Sequence, residues 1–474
     1  MTMDPSIAES HTIVPRADIT RQLYGGKASP QAGFRAAGPK RVLFISYAFP
    51  PVGGAGVQRV TKFVKYLPHE GWLPSVLTVA NPSVPAFDPT LLKDVPDQTV
   101  IRRARTLEPG YKLKSAVSDG TPGKTNGGGK VRRFIAGAAR RLAQMILQPD
   151  PQVLWLPDAI RQGRRLLDEI PHAAIIASGP PFSAFLIGKA LAKHARIPLI
   201  LDYRDEWDLS TAYLEHKSAN RFSLLILRRM QKRVLQSARA ILTTTKASAS
   251  AIEALRNKSK STAPVRCFYN GFDPDDFAVD PAVEPQNEFY RLVYVGTLWN
   301  LTSVEPLVQA VRKLAEQEPA LVSRLELVFA GRRTPAQQHI LDQLKNAPCR
   351  IVEHGYIGHQ DAIQLMRSAD TLCALLTDLP GTGRVVPAKI FEYMATRRPI
   401  LAISPQGELE ALLSDYPSGR HILPGDIHGI AGYLMQNLRN HAAGSHAPLD
   451  VSDLIKHSRP YQTNQLANFL DSVI

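Results

Sequence analysis

The sequence predicts an α/β protein made of two Rossmann-like domains, and three observations support this. The chain has 474 residues, which is too long for one ordinary domain. Its N-terminal half opens with a strand, a loop, a helix and a second strand, the βαβ pattern of a parallel sheet. The same alternation starts again at about residue 291.

Composition and charge limit the class of protein. Lys and Arg number 57 against 42 Asp and Glu, a net charge of +15. We find no zinc finger, RNA-recognition aromatic motif or basic heptad region, so nucleic acid is not an expected partner. An anionic membrane surface and a phosphorylated substrate remain as partners that would suit this charge.

Two further features bear on the compartment. The three cysteines, Cys267, Cys349 and Cys373, are widely spaced and form neither a disulfide framework nor a zinc pattern, which indicates a reducing, cytoplasmic compartment. There is no run of eighteen apolar residues, and the N-terminus lacks the charged start and apolar core of a secretory signal. We therefore expect no membrane span.

The first predicted domain covers residues 40–265 and follows a disordered tail at 1–39. Residues 41–46 (RVLFIS) and 72–79 (WLPSVLTV) read as strands on either side of an amphipathic helix. The loop before that helix contains Gly53, Gly54 and Gly56, which allow the backbone to approach a phosphate or sugar. A flexible turn is the alternative. Arg59, in the first helical turn, could serve an anion or cover a surface.

Residues 130–147 (KVRRFIAGAARRLAQMIL) read as an amphipathic helix after a polar, glycine-rich insertion. Its basic residues are Arg132, Arg133, Arg140 and Arg141. Such a helix can lie in a membrane interface with its basic side chains at anionic headgroups. A helix packed on the domain with a solvated basic face is the alternative.

Polar residues also follow a later strand, 197–201 (IPLIL), in the string DYRDEW. They stand at the carboxyl end of a parallel strand, where α/β proteins bind ligands, so we expect Arg204 and Asp205 to lie at a ligand-binding crevice. A structural ion pair between them is the alternative. Upstream, Ser183 is predicted to cap a helix. Downstream, a further helix carries Arg228, Arg229, Lys232 and Arg233.

The second predicted domain covers residues 266–440, and residues 441–474 are expected to form a helix that returns toward the first domain. The stretch of this domain that is richest in candidate site residues is 379–410, LPGTGRVVPAKIFEYMATRRPILAISPQGELE. A helix is predicted to begin at Pro387, with Lys389 and Glu392 on one face. A lysine in a first turn opposes the helix dipole unless an anion binds there. The stretch therefore predicts a nucleotide-diphosphate site, with an ordinary surface pair as the alternative.

This stretch resembles the P-x-K-x-F-E-Y-x-A…P-I-L segment of family 4 glycosyltransferases. The strings F-P-P-x-G-G-x-G-V-x-R, G-P-P-x-S with D-x-R-D-x-W, and N-G-x-D resemble other segments of that family and its bacterial polysaccharide branch. The resemblance implies the GT-B fold, in which two Rossmann-like domains face each other across a cleft. It implies donor contacts from Gly53, Gly54, Gly296, Thr297, Arg332, Tyr356, Gly383, Arg384, Lys389 and Glu392. It implies a catalytic set of Asp205, Arg204 and Glu392, in which Arg204 and Asp205 contact the acceptor or the donor sugar.

The match fails at two places. The family's basic residue soon after the turn at Gly296 has no clear counterpart, since Asn300 and Thr302 stand there. The family often has a glutamate eight residues before the one that matches Glu392, and Arg384 stands there instead. Asp378, in the same loop, is a candidate replacement for the missing carboxylate.

The resemblance implies sugar transfer from a nucleotide-diphosphate donor to a lipid-linked or glycan acceptor in bacterial exopolysaccharide or O-antigen assembly. It implies retention of anomeric configuration, no metal or other cofactor, and a cytoplasmic enzyme peripheral at the inner face of the cell membrane. Two alternatives are a sugar-nucleotide epimerase of the same fold and a non-catalytic partner subunit.

Overall fold

The structure is a computed structural model that describes residues 40–111, 147–213, 221–277, 287–444 and 454–474. The described residues form two compact units. The first contains residues from 40–269 together with 384–386 and 463–474, and the second contains those from 270–383 and 387–462. No helix in the described ranges combines the length and the apolar character needed to cross a bilayer.

The first unit is a seven-stranded parallel sheet with the strand order β3-β2-β1-β4-β5-β6-β7. Its strands are β1 (Lys40–Ile45), β2 (Trp72–Val79), β3 (Val100–Ala104), β4 (Ala174–Gly179), β5 (Leu199–Tyr203), β6 (Ala240–Thr243) and β7 (Val265–Cys267). Its helices are α1 (Ala55–Tyr66), α2 (Leu156–Glu169), α3 (Ser183–Ala195), α4 (Trp207–Tyr213), α5 (Arg221–Leu235) and α6 (Lys246–Lys258).

The second unit is a six-stranded parallel sheet with the order β10-β9-β8-β11-β12-β13. Its strands are β8 (Tyr290–Val295), β9 (Leu325–Ala330), β10 (Arg350–His354), β11 (Thr371–Leu375), β12 (Ile400–Ile403) and β13 (Gly419–Ile422). The helices that follow α6 are α7 (Glu305–Gln317), α8 (Pro319–Val322), α9 (Pro335–Leu341), α10 (His359–Arg367), α11 (Lys389–Ala395), α12 (Glu408–Ser414), α13 (Ile427–Ala442) and α14 (Arg459–Val473).

Both faces of the first sheet are covered, as a parallel sheet with apolar strands requires. Buried residues of α2, α3, α5 and α6 pack on one face, among them Phe185, Leu191 and Leu235. On the other face α1 packs together with the last part of α14, through Leu466 and Leu470. The first unit is therefore completed by residues from the far end of the sequence.

In each sheet the direction of strand addition reverses once, between β1 and β4 in the first unit and between β8 and β11 in the second. Ile45 pairs with Ala177 at the first reversal, and Thr371 pairs with Leu292 at the second. Open α/β sheets bind ligands outside the carboxyl ends of the strands at such reversals. The predicted α/β class and the two Rossmann-like folds are confirmed.

Candidate active site

The predicted glycines Gly53 and Gly54 lie in the loop after β1, at the reversal point of the first sheet. The Gly53 amide donates to the Ala86 carbonyl at 3.0 Å. Gly54 has a φ of 103°, a left-handed conformation that favours glycine, and it immediately precedes α1. The glycine is thus required by the turn itself, and contact with a ligand stays a prediction.

Arg59 lies in α1, and both interpretations of it from the sequence are wrong. The residue is 2% exposed, so it covers no surface. Its Nε donates to both carboxylate oxygens of Asp202, at 3.0 and 3.2 Å, and its Nη1 donates to the Phe268 carbonyl at 2.8 Å. Ser178 donates to the same aspartate at 2.8 Å. Arg59 therefore neutralises a buried carboxylate within the protein and is not available to an anionic ligand.

Arg204 and Asp205 follow β5, and the described residues show no ion pair between them. The Arg204 guanidinium donates instead to the carbonyls of Gly56 and Pro180, which ties the start of α1 to the loop after β4. The side chain of Asp205 is open to solvent. The pKa of Asp205 is nevertheless raised above its ordinary value, chiefly because the surrounding protein restricts hydration of its carboxylate. The positive charge of Arg204 opposes this shift, and the negative charges of Glu206 and Asp202 add to it. Asp205 is thus the residue of this pair that a substrate can reach.

Arg384, in the segment 384–386 that belongs to the first unit, makes a bidentate ion pair with Glu206. Its Nε and Nη2 each donate to a Glu206 oxygen at 2.8 Å. Glu206 is 7% exposed and also accepts from Ser248 at 2.8 Å. A planar guanidinium suits this two-point contact with a carboxylate. The positive charge of Arg384, which the resemblance assigned to donor binding, is thus already balanced by the Glu206 carboxylate in this structure.

Ser183 does not cap α3. It is the first residue of the helix and follows Phe182 at the cap position. Its amide donates to an Asp150 oxygen at 2.9 Å, and its hydroxyl accepts from the Trp155 indole at 3.2 Å. An aspartate distant in sequence supplies the cap, which no local pattern could indicate.

In the second unit, the loops that follow β8 and β9 run side by side. The Gly296 and Leu298 amides donate to the Ala330 and Arg332 carbonyls, both at 2.8 Å. Gly331 has a φ of 130°, and a Cβ there would collide with the Gly296 carbonyl oxygen. The carboxyl edge is therefore closed by backbone contact, and glycine is needed at 331 for both conformation and space.

Two predicted donor residues lie on the loops after β9 and β10. Arg332 is exposed, whereas its neighbour Arg333 pairs with Glu353 at 3.2 Å. Tyr356 is 44% exposed. His359 begins α10, and its Nε2 lies 3.0 Å from an Asp276 carboxylate oxygen, so this ring is engaged within the second unit. Arg332 and Tyr356 stand at the carboxyl edge of this sheet, with side chains that solvent reaches.

The loop after β11 is shaped by Thr382 and Gly383. The Thr382 side chain is fully buried and bonds to Thr377 and Leu379, at 2.9 and 3.1 Å. A Cβ at Gly383 would collide with the Gln406 carbonyl, and one at Gly407 would collide with the Gly383 carbonyl. The loops after β11 and β12 are thus in direct backbone contact, as the loops after β8 and β9 are.

Helix α11 begins at Lys389, two residues later than predicted, because Ala388 occupies the cap position. Lys389 pairs with Glu392 as expected from the spacing. The Lys389 side chain is 23% exposed and the Glu392 side chain 12%. This is a partly buried pair, which argues against the ordinary surface pair. The Tyr393 hydroxyl accepts from the Val295 amide at 2.9 Å and so fixes α11 to the end of β8.

The sequence reasoning missed residues that hold these loops. Asp202 and Glu206 were visible only as the acidic residues of DYRDEW, and Thr382 and Tyr393 as members of the 379–410 stretch. The predicted membrane-face residues Arg132, Arg133, Arg140 and Arg141 lie outside the described residues.

Comparison with known families decides the identity of this arrangement. Residues 290–440 match the family described as "Glycosyl transferases group 1", and residues 53–271 match the "Glycosyl transferase 4-like domain". The chain belongs to the family 4 glycosyltransferases of the GT-B fold. The resemblance drawn from the sequence motifs is confirmed. Comparison with curated proteins gives no match.

Solved structures share the fold of this glycosyltransferase. WaaG, "a glycosyltransferase involved in lipopolysaccharide biosynthesis", is 12% identical with a TM-score of 0.53, over 90% of this chain and 95% of that one. A putative UDP-N-acetylglucosamine 2-epimerase from Listeria monocytogenes is 12% identical, with a TM-score of 0.51 over 91% and 96%. A TarM variant from S. aureus, solved with Fondaparinux, alpha-GlcNAc-glycerol and UDP, is 8% identical, with a TM-score of 0.51 over 92% and 98%. At these identities the likeness shows the fold alone.

Proposed function

We propose that this glycosyltransferase moves a hexose from a nucleotide-diphosphate donor to a lipid-linked or glycan acceptor in bacterial polysaccharide assembly, with retention of configuration. The observation that carries the proposal is the partly buried Lys389–Glu392 pair in the first turn of α11. It stands beside the carboxyl ends of β8 and β11, at the reversal point where ligands bind to such sheets.

Each member of the pair has a separate role in this proposal. When the donor binds, Lys389 leaves Glu392 and neutralises the diphosphate, and Glu392 then accepts hydrogen bonds from the ribose hydroxyls. The Gly296 and Leu298 amides are used between β8 and β9, so within this turn we assign the Thr297 amide to a donor phosphate. Arg332, Gly383 and Tyr356 complete the contacts to the diphosphate and the base.

The transfer step breaks the bond between the anomeric carbon and the diphosphate oxygen. The acceptor hydroxyl oxygen bonds to the same face of that carbon, and its proton passes to the leaving diphosphate. Positive charge at Lys389 stabilises the leaving group as it departs. Asp205, exposed and with a raised pKa, contacts the acceptor, whereas Arg204 holds the loops around it.

The remaining parts of the proposal concern partner and place. Relatives such as the TarM variant are solved with UDP, which supports a uridine or similar nucleotide here. The net charge of +15 and the basic residues Arg132, Arg133, Arg140 and Arg141 support a position at the anionic inner face of the cell membrane. No metal is proposed, so transfer should be unchanged by EDTA.

The test is a thermal-shift series with UDP, GDP and their sugars, on the wild type and on Glu392→Ala. A nucleotide at a hundred times its Kd should stabilise the wild type by about 2.7 kcal/mol, and the variant should lose most of that shift. Glu253→Ala is the matched control, because Glu253 also pairs with a cation at (i, i+3), at 2.7 Å, and is 55% exposed.

Two results would contradict the proposal. A wild type that no nucleotide stabilises would remove the donor site. Binding without release of nucleoside diphosphate, in the presence of membrane-extracted lipid-linked acceptors, would favour a non-catalytic partner subunit.

A further inference from the structure

Two side chains in the second unit donate to the same backbone carbonyl, in the loop after β8. The Thr302 hydroxyl donates to the Thr297 carbonyl at 2.6 Å, and the Tyr294 hydroxyl donates to it at 3.0 Å. Tyr294 is buried against the turn, since a Cβ added at Gly296 would lie 2.9 Å from its hydroxyl oxygen. A backbone carbonyl oxygen has two lone pairs, so the two hydroxyls occupy both acceptor positions. The Thr297 carbonyl is therefore held from two sides.

The Gly296–Thr297 peptide lies between two peptides that are hydrogen-bonded at both ends. On one side, the Val295 carbonyl accepts from the Tyr393 hydroxyl at 3.3 Å, and the Gly296 amide donates to the end of β9 at 2.8 Å. On the other side, the Thr297 carbonyl accepts from the two hydroxyls, and the Leu298 amide donates to the loop after β9 at 2.8 Å. The central peptide has little freedom to shift, because both residues that bound it are anchored.

The central peptide presents its amide on the side away from the loop after β9. A Cβ added at Gly331 would collide with the Gly296 carbonyl oxygen, so this oxygen faces that loop. The peptide is trans, and in a trans peptide the carbonyl and the amide point in opposite directions. No described residue accepts a hydrogen bond from the Thr297 amide, and Thr297 is exposed. The turn therefore offers one anchored amide to a ligand.

The segment that carries Thr302 is itself tied to the loop after β11. The Thr377 amide donates to the Leu301 carbonyl at 2.8 Å, and the Ser303 amide donates to the Thr377 hydroxyl at 3.2 Å. The Thr377 carbonyl accepts from the Thr382 hydroxyl at 2.9 Å. Thr302 thus lies between two residues that are bonded to a neighbouring loop, which gives its hydroxyl a defined position. These bonds lie at the reversal between β8 and β11, where the donor site is proposed.

We propose that Thr302 is a positioning residue of the donor site and that, together with Tyr294, it orients the Thr297 amide toward a phosphate of the donor. The two hydroxyls act through the backbone: they hold the Thr297 carbonyl, and the amide of the same residue is thereby oriented before the donor arrives. A donor group that is already in place binds an anion without the cost of being ordered on binding. The inference rests on the proposed function and adds the side chains that set its phosphate contact.

The test is titration calorimetry of the full chain with UDP, or with GDP where the thermal-shift series shows that GDP binds. Thr302→Val keeps the shape of the side chain and removes the hydroxyl, so the Kd of the diphosphate should rise about fivefold, as the loss of one hydrogen bond predicts. Thr302→Ser keeps the hydroxyl and should stay within about twofold of the wild type. Tyr294→Phe removes the longer of the two bonds and should weaken binding less than Thr302→Val does.

Two readouts separate positioning from a general loss of structure. The matching nucleoside, uridine or guanosine, lacks phosphates, so its affinity in saturation-transfer NMR should be equal in the wild type and in Thr302→Val. In protein with isotope-labelled threonine, the Thr297 amide signal should move at lower UDP concentrations in the wild type than in Thr302→Val. Thr297→Ser identifies that signal, because serine carries no label. Thr396→Val is the matched control, since the Thr396 hydroxyl also donates to a carbonyl of the second unit, at 2.7 Å.

The inference would be overturned if Thr302→Val bound the diphosphate as the wild type does, or if Thr302→Ser or Thr396→Val lost as much affinity. An equal loss of nucleoside affinity would also overturn it, because damage to the whole unit would then explain both losses. Each of these results leaves the donor site in place, since the wild type binds. A wild type that binds neither UDP nor GDP would instead remove the proposed donor site, and this inference with it.

Discussion

The carboxyl edges of the two sheets are held together by different kinds of contact. In the first unit, charged side chains join the elements, as in the Arg59–Asp202 pair and the bonds from Arg204 to two carbonyls. In the second unit, loops meet backbone to backbone at Gly331 and Gly383. The one ion pair in the first turn of α11, Lys389–Glu392, is local to its helix.

This difference separates a rigid scaffold in the first unit from the proposed donor site in the second. A buried charge that is paired within the protein cannot turn to a ligand without a large cost, so Arg59 fixes the first unit in place. Lys389 and Glu392 retain some exposure, and in the proposed function each exchanges the other for the donor. The glycine contacts bring neighbouring loops of the second unit together without adding side chains.

The largest expected effect comes from breaking the buried ion pair of the first unit, Arg59–Asp202. Asp202→Asn leaves the buried Arg59 guanidinium without its counter-charge, and removing one partner of a buried pair costs about 3–5 kcal/mol. Hydrogen exchange of the first unit would measure this loss. Asp471→Asn, in the exposed pair with Lys40, should cost no more than about 1 kcal/mol. Equal costs would refute the distinction.

Breaking the backbone contact between Gly331 and Gly296 should have a smaller effect, confined to the second unit. Gly331→Ala forces a side chain into left-handed backbone and into the Gly296 carbonyl, for about 2–4 kcal/mol in sum. Exchange of amides near β8 and β9 should quicken, and the nucleotide thermal shift should fall. Gly425→Ala is the control, because a Cβ there meets nothing within 4 Å. If Gly331→Ala were as stable as the wild type, the second unit would not depend on this backbone contact.

The smallest expected effect is a pH dependence of stability in the first unit, caused by the buried His172. Burial lowers the pKa of His172, in the first unit, from 6.5 to about 4. His172 therefore binds a proton more tightly in the unfolded state than in the folded state. Its contribution to the free energy of unfolding is fully present above pH 6.5 and is lost as the pH falls toward 4. At pH 5 the loss is about 2 kcal/mol. Urea unfolding from pH 7.5 to 5 would show it, and His172→Gln should flatten the slope, whereas the more exposed His194→Gln should keep it.

Local pattern was enough for the fold and for the site loops. The predicted strands 41–46 and 72–79 lie within one residue of β1 and β2, and the predicted strand 197–201 lies two residues before β5. Alternating strands and helices with apolar cores are encoded in neighbouring residues, so periodicity reveals them. The donor loops followed for the same reason, since they begin where strands end.

Long-range pairing was beyond the same reasoning. Arg59 meets Asp202 across 143 positions, and Arg384 meets Glu206 across 178. Both arginines read as available cations in the sequence, because the carboxylate that engages each one is set by topology. The start of α11 was also displaced, since Pro387 tolerates a first helical turn without requiring one.

The contribution of α14 to the first unit governs the order in which the protein can mature on the ribosome. Leu466 and Leu470 belong to the same core as Phe44 and Val64, yet about 200 residues of the second unit are synthesised in between. At roughly 5–20 residues per second that interval lasts about 10–40 s. During it only α1 covers that face of the first sheet, and the apolar surface that α14 later buries stays open to chaperones and to aggregation.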